Sequence, residues 1–76
     1  MTVDQLRRTV RAQPFRAFTI HMGDGRALKV PHPDFVYIPP EGSRTVIVSL
    51  GADDFEIVDL MLVTSLEVVN GKPERT

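Results

Sequence analysis

Phe18, Ile20 and Met22 alternate with Thr19 and His21, and beyond Gly23-Asp24-Gly25 the residues Leu28 and Val30 alternate with Ala27 and Lys29. Two period-two segments around a glycine-bounded turn predict a β-hairpin over residues 15–30. Two registers compete. An Asp-Gly loop of two residues would set Ile20 opposite Lys29 and His21 opposite Leu28, mixing apolar and polar side chains on each face. A three-residue loop sets Ile20 opposite Leu28 and Phe18 opposite Val30, which leaves one face apolar. A slip of one residue sends every side chain to the other face, so burial selects the second register. That loop places Gly25 in the left-handed conformation.

The segment before the hairpin, residues 2–13, predicts a helix. Thr2 can cap it, and Gln5 three positions later completes a capping-box pattern. Val3, Leu6 and Val10 share one face. Asp4 suits the first turn and can pair with Arg8 at i+4, while Arg7, Arg8 and Arg11 fill the remaining surface. Pro14 disfavours helical geometry at Gln13 and so ends the helix. Three apolar residues cannot hold so short a helix alone in water, so it must dock.

After the hairpin, VPHPDF (residues 30–35) reads as a corner, because Pro31 and Pro33 each remove a ladder donor. Asp34 is expected to accept backbone hydrogen bonds there, Phe35 to anchor the corner in the core, and His32 to face solvent. FVYI (35–38), TVIVSL (45–50) and FEIVDL (55–60) follow as strands separated by turn-rich segments. With residues 51–54 as a loop, Leu50 faces Phe55 and Val48 faces Ile57. With residues 39–44 as the other, Tyr37 faces Val46 and Phe35 faces Val48. The core face would then hold Phe35, Tyr37, Val46, Val48, Leu50, Phe55 and Ile57. The opposite face would carry an apolar row of Val36, Ile47 and Val58, which needs cover from the helix face or from a partner chain. A turn in LMLV (60–63) and a last strand at 64–69 complete the order, and the polar tail 70–76 is expected to fray. The expected fold is one mainly β (α+β) domain over residues 1–69. A helix precedes about five antiparallel strands in a small, bent, SH3- or Sm-like barrel.

The chain has 76 residues and no cysteine, so no disulfide or thiolate-zinc site can support so small a core. Stability must come from packing, from association with further copies, or from both. No apolar run reaches the length of a membrane span, so no membrane partner is expected. The N-terminus carries no charged-then-apolar leader pattern, and the expected location is the cytoplasm. Residues 1–30 hold six basic and two acidic side chains, residues 31–76 three and eight. That asymmetry can steer a charged partner or set one copy against another.

Chemistry-bearing groups are sparse. His32 and Asp34, with His21, fall short of the three or four convergent ligands a metal needs. Asp53, Asp54, Glu56 and Asp59 lack the spacing and glycine of a calcium loop. Asp59 would sit opposite Val46 on the core face, so it calls for a strand ending by residue 58 or a rim position beside an arginine. Ser43, Ser49 and Ser65 have no nucleophile-elbow context, and no helix follows the Gly23-Asp24-Gly25 turn to cradle a phosphate. No catalytic residue, metal ligand or cofactor is assigned, and enzymatic activity has little support. Arg7, Arg8, Arg11 and Arg16 are the candidate contacts for RNA phosphates or a protein partner. Phe15, Phe18, Phe35 and Tyr37 could stack on bases if exposed, but alternation puts most of them inside.

The helix, FTIHMGDGRALKV and the following aspartate, Asp34, resemble the Sm-like fold, including the Hfq-type bacterial proteins. That resemblance implies a bent five-stranded barrel and subunits closed into RNA-binding rings. The chain departs from the pattern at Val30-Pro31, where a glycine is expected, and lacks the asparagine after the aspartate and the second Sm motif. Over residues 4–69, QPFRAFTIHMGDGR, VPHPDFV and FEIVDLMLVTSLEV also resemble a set of short bacterial proteins of uncharacterised activity. This second resemblance implies a free-standing bacterial domain. The leading expectation is a non-enzymatic interaction module that forms a homo-oligomer, its protein partner otherwise unknown. An Sm-like RNA-binding ring is the alternative, and a metal-dependent enzyme stands third.

Overall fold

A computed structural model describes residues 1–41 and 44–68. Ser43, Val69 and the predicted tail lie outside the described residues. The helix α1 (Val3–Val10) leads into β1 (Phe18–Met22) and β2 (Ala27–Val30). A 3-10 turn (Pro33–Phe35) precedes β3 (Val36–Tyr37), β4 (Thr45–Ser49) and β5 (Phe55–Asp59), and a second (Leu60–Leu62) leads to β6 (Val63–Val68). The strands form two antiparallel sheets of three, ordered β2-β1-β6 and β3-β4-β5. The strands fall at the six segments read from the sequence, one more than the five or so of the expected barrel, and the corner at residues 31–35 places β2 and β3 in different sheets.

The capping box forms as its sequence pattern predicts. Thr2 Oγ1 accepts from the Gln5 N–H at 3.2 Å, and Gln5 Oε1 accepts from the Thr2 N–H at 2.9 Å. The helix ends at Val10, before the predicted limit at residue 13, and the Arg11 N–H closes the last turn on the Arg7 carbonyl at 2.9 Å. Asp4 pairs with Arg7 at 3.1 Å, not with Arg8. Arg7 also donates to the Pro39 carbonyl at 3.4 Å, which holds its guanidinium between the helix and the segment after β3.

The first hairpin has the register burial selects, with Ile20 opposite Leu28 and Phe18 opposite Val30. Its turn is closed by Met22 N–H to the Arg26 carbonyl at 2.8 Å, and Gly25 takes φ 96°. A residue with a Cβ is strained at that angle, so glycine is the residue the turn requires.

The second hairpin is shifted by one residue from the expected register. Leu50 leaves the ladder and its N–H bonds the Asp54 carbonyl at 2.9 Å, so the loop runs from residue 50 to 54 instead of 51 to 54. Val46 therefore opposes Val58, Ile47 opposes Ile57, and Ser49 opposes Phe55. On the other side Val36 opposes Val48 and Tyr37 opposes Ile47. The predicted row of Val36, Ile47 and Val58 is parted: Val36 and Val58 turn toward the core with Val46 and Val48, and Ile47 lies on the outer face. Asp59 moves off the core face to oppose Thr45, and Arg44 pairs with it at 3.3 Å.

The core lies between the sheets and is built from Phe18, Ile20, Met22, Leu28 and Val30 on one side and Val46, Val48 and Val58 on the other. Leu6 from the helix is fully buried in it, and Val3 and Val10 pack against it. The helix thus covers the core and leaves the outer face of β3-β4-β5 uncovered. Two backbone bonds tie the ends of this arrangement: Leu60 N–H to the Arg44 carbonyl at 2.7 Å and Gly23 N–H to the Leu62 carbonyl at 2.8 Å.

The corner at residues 31–35 is capped by a different residue from the one expected. His32 stands extended at the N-cap, and its Nδ1 accepts from the Asp34 N–H at 3.3 Å. The cap position precedes the turn and receives its free N–H groups, so His32 fills it and Asp34 is left exposed. Phe35 is half-buried against the core. Phe35→Ala is expected to cost about 3 kcal/mol, the low end for buried phenylalanines. His32→Ala should cost about 0.5 kcal/mol, as a weak exposed cap. Thermal melts of the two variants check this, and equal losses would contradict an exposed histidine.

Candidate functional site

On the outer face of β3-β4-β5 the register aligns Tyr37, Ile47 and Ile57 directly across three strands. Phe55 follows on the same face beside Ser49. Tyr37 is 57% exposed, and Phe55 and Ile57 are each 64% exposed. Leu50, Met61 and Leu62 add further exposed apolar side chains in the adjoining loop and turn. Single exposed apolar residues are ordinary on a small protein, but a contiguous cross-strand row is the usual mark of an interaction site. β-branched and aromatic side chains suit the strands, so local propensity and this exposure have one origin.

The two ends of the face differ in charge. Arg44 stands at the Thr45/Asp59 end, bonded to Asp59 and, at 3.0 Å, to the Met61 sulfur. Asp53 and Asp54 stand exposed at the Ser49/Phe55 end, and neither has an ion-pair partner among the described residues. About 14 Å of strand separates the ends, at about 3.4 Å per residue.

Behind this face Arg26 joins the two sheets. Its Nε donates to Asp24 at 2.9 Å within the first hairpin turn, and its Nη1 donates to Glu56 on β5. The Arg26 backbone N–H also donates to Asp24 at 3.0 Å. That backbone bond, with the guanidinium beside it, holds the Asp24 carboxyl below its usual range. Glu56 first and Asp24 second raise the Arg26 guanidinium above its usual value. The shifted register put Glu56 on the core side of β5, and Arg26 is the partner that makes this position acceptable.

The other sequence-predicted residues are dispersed. Arg7 is engaged with Asp4 and Pro39. Arg8 and Arg16 line one open cleft, and Arg11 lines a separate groove with Val36 and Ile38. Phe18 is buried, Phe15 packs edge-on against it with ring centroids 6.1 Å apart, and of the four aromatics named only Tyr37 is largely exposed. His21 pairs with Glu67 at 2.8 Å on the first sheet, remote in sequence and partner from His32, which lies 3.6 Å from Asp34. Among the described residues no three side chains of metal-binding type converge, and no helix is long and apolar enough to cross a membrane. Sequence reasoning missed Tyr37, Phe55 and Ile57 as outward residues, and the awkward core position it gave Asp59 was the signal that the register had slipped. No family model, curated protein or solved structure matches the chain, so the face and the clefts are read from their own geometry.

Proposed function

We propose that this protein is a non-enzymatic interaction module that self-associates through the outer face of β3-β4-β5. The outward row of exposed Tyr37, half-buried Ile47 and exposed Ile57 carries this reading. A second copy is the occupant this face suits. A two-fold axis in the plane of contact, running across the strands, brings the paired Arg44 and Asp59 end of one copy over the Asp53 and Asp54 end of the other, and so keeps the two unpaired carboxylate ends apart. The same surface then supplies the apolar centre on both copies, as an isologous interface requires. A small SH3- or Sm-like barrel is the framework that goes with this reading. In it β2 and β3 act as one strand bent at residues 31–35, where Pro31 and the 3-10 turn Pro33–Phe35 turn the chain from one sheet into the other.

Sedimentation equilibrium over a range of protein concentrations tests the proposal. The wild-type mass should rise from monomer toward dimer. Ile57→Asp should weaken association about tenfold or more, since it would bury an unpaired carboxylate near the two-fold axis. Ile57 is exposed in the single chain, so the variant should fold normally. A monomer mass at every concentration, or a dimer indifferent to Ile57→Asp, would contradict it.

A further inference from the structure

A second site, independent of the β3-β4-β5 face, lies on the outer side of the first hairpin. Thr19 on β1 and Lys29 on β2 are direct cross-strand partners. Their side chains therefore leave the same face of the sheet, with Cβ atoms about 4.5–5.5 Å apart. Ala17 and Pro31, two residues further along each chain, complete a cleft of about 260 Å³ with them. Phe18 and Val30, themselves buried in the core, also border it. Ordinary ligand sites run from about 300 to 1,000 Å³, so only a small molecule suits this one.

Thr19 sets this cleft apart. It is the one buried polar residue among the described residues, at 8% exposed, and its hydroxyl has no hydrogen-bond partner among them. A buried hydroxyl without a partner destabilises a fold. Valine is β-branched like threonine and favours strands, so packing alone does not call for threonine here. Lys29 beside it has no carboxylate partner among the described residues. On its other side Thr19 opposes Glu67, but that carboxylate is held by His21 at 2.8 Å and does not line the cleft.

We infer that this cleft binds a short-chain aliphatic monocarboxylate. The carboxylate accepts one hydrogen bond from the Thr19 hydroxyl and one from the Lys29 ammonium, and the hydrocarbon lies against Ala17 and Pro31. An ammonium can only donate, and the hydroxyl beside it lacks a partner, so both are served by an acceptor. The unneutralised charge of Lys29 selects an acceptor that is an anion. One cation beside apolar walls suits a singly charged group with a hydrocarbon tail better than a phosphate, which is polar on every side.

Amide NMR titration of the full chain at low salt with butyrate tests this, with butyramide and inorganic phosphate in parallel arms. Butyrate should shift the resonances of residues 17–19 and 29–30 and saturate at one ligand per chain, and neither other probe should match it. Lys29→Met keeps the apolar stem, loses the charge, and should weaken binding about tenfold or more. Lys29 is exposed, so this variant should melt as the wild type does. Thr19→Val should also weaken binding about tenfold, yet melt at the wild-type temperature or above, because it removes an unpartnered buried hydroxyl. A threonine kept for structure alone would show the opposite pair, lower stability with unchanged butyrate binding, and that result overturns the inference. The absence of a saturable shift with butyrate overturns it too, as does equal binding of butyramide, which would show that charge plays no part. Phosphate binding as tight as butyrate, or shifts spread equally over Arg8, Arg11 and Arg16, also overturns it, since only a diffuse positive field would then be at work.

Discussion

Phe18→Ala is expected to cost about 3–5 kcal/mol, the range for truncating a buried phenylalanine. Phe18 is 1% exposed on the central strand of its sheet, between Val30 on β2 and Val68 on β6. It also supports the half-buried Phe15 through their edge-on contact. Its removal opens a cavity where three strands and the segment after the helix meet, and the ladder on both sides limits collapse into it. Native domains are stable by only about 5–15 kcal/mol, and a domain of this size belongs near the lower end. Urea titration of the variant should show a midpoint lowered to near or below the start of the wild-type transition. Phe55→Ala is the matched control. Phe55 is mostly exposed in the single chain, so its truncation should stay within about 0.5 kcal/mol when measured under dilute conditions. Similar losses at the two positions would contradict the placement of the core.

Leu6→Ala should be the next most damaging change, at about 2–5 kcal/mol. Leu6 is the fully buried residue of a helix only eight residues long. A helix of that length does not persist in water without tertiary contacts. The capping box fixes where α1 begins, but Leu6 is what attaches it to the core. Loss of the side chain should therefore lower the helical circular dichroism signal before the β-sheet signal falls. Amide exchange along residues 3–10 should quicken more than exchange along β1. Val10→Ala, at a half-buried position of the same face, should have a smaller effect on both. A Leu6→Ala variant with an unchanged helical signal and melting point would show that α1 is held by other contacts.

How much of this was legible in the sequence depended on how strictly each segment separates its two faces. In the first hairpin one register mixes Ile20 with Lys29 and the other does not, so the pattern admits one solution, and it is the one found. The second hairpin has apolar residues on both faces of β4 and β5, so burial scarcely separates registers one residue apart. There the loop decides: the Leu50 to Asp54 bond makes it one residue longer, and every pair shifts. The expected outward row and the observed one consequently share only Ile47. Asp59 carried the corrective signal. A carboxylate opposite Val46 in the core is unfavourable, and the rim position beside an arginine, the stated alternative, is where the structure has it, with Arg44. At the corner, the prolines marked the break between strands. Which polar side chain capped it depended on position relative to the turn, and that favoured His32 over Asp34.

The central claim is that the outer face of β3-β4-β5 meets the same face of a second copy. Amide and methyl NMR spectra across a dilution series test it most directly, because they report both the association and its location. The resonances that move with concentration should be those of Tyr37, Ile47, Phe55 and Ile57, with Arg44, Asp53 and Asp54 at the rims. Residues on the exposed side of β2 and β6 should stay fixed. Spectra that do not change with concentration, or changes confined to β2-β1-β6, would contradict self-association through this face.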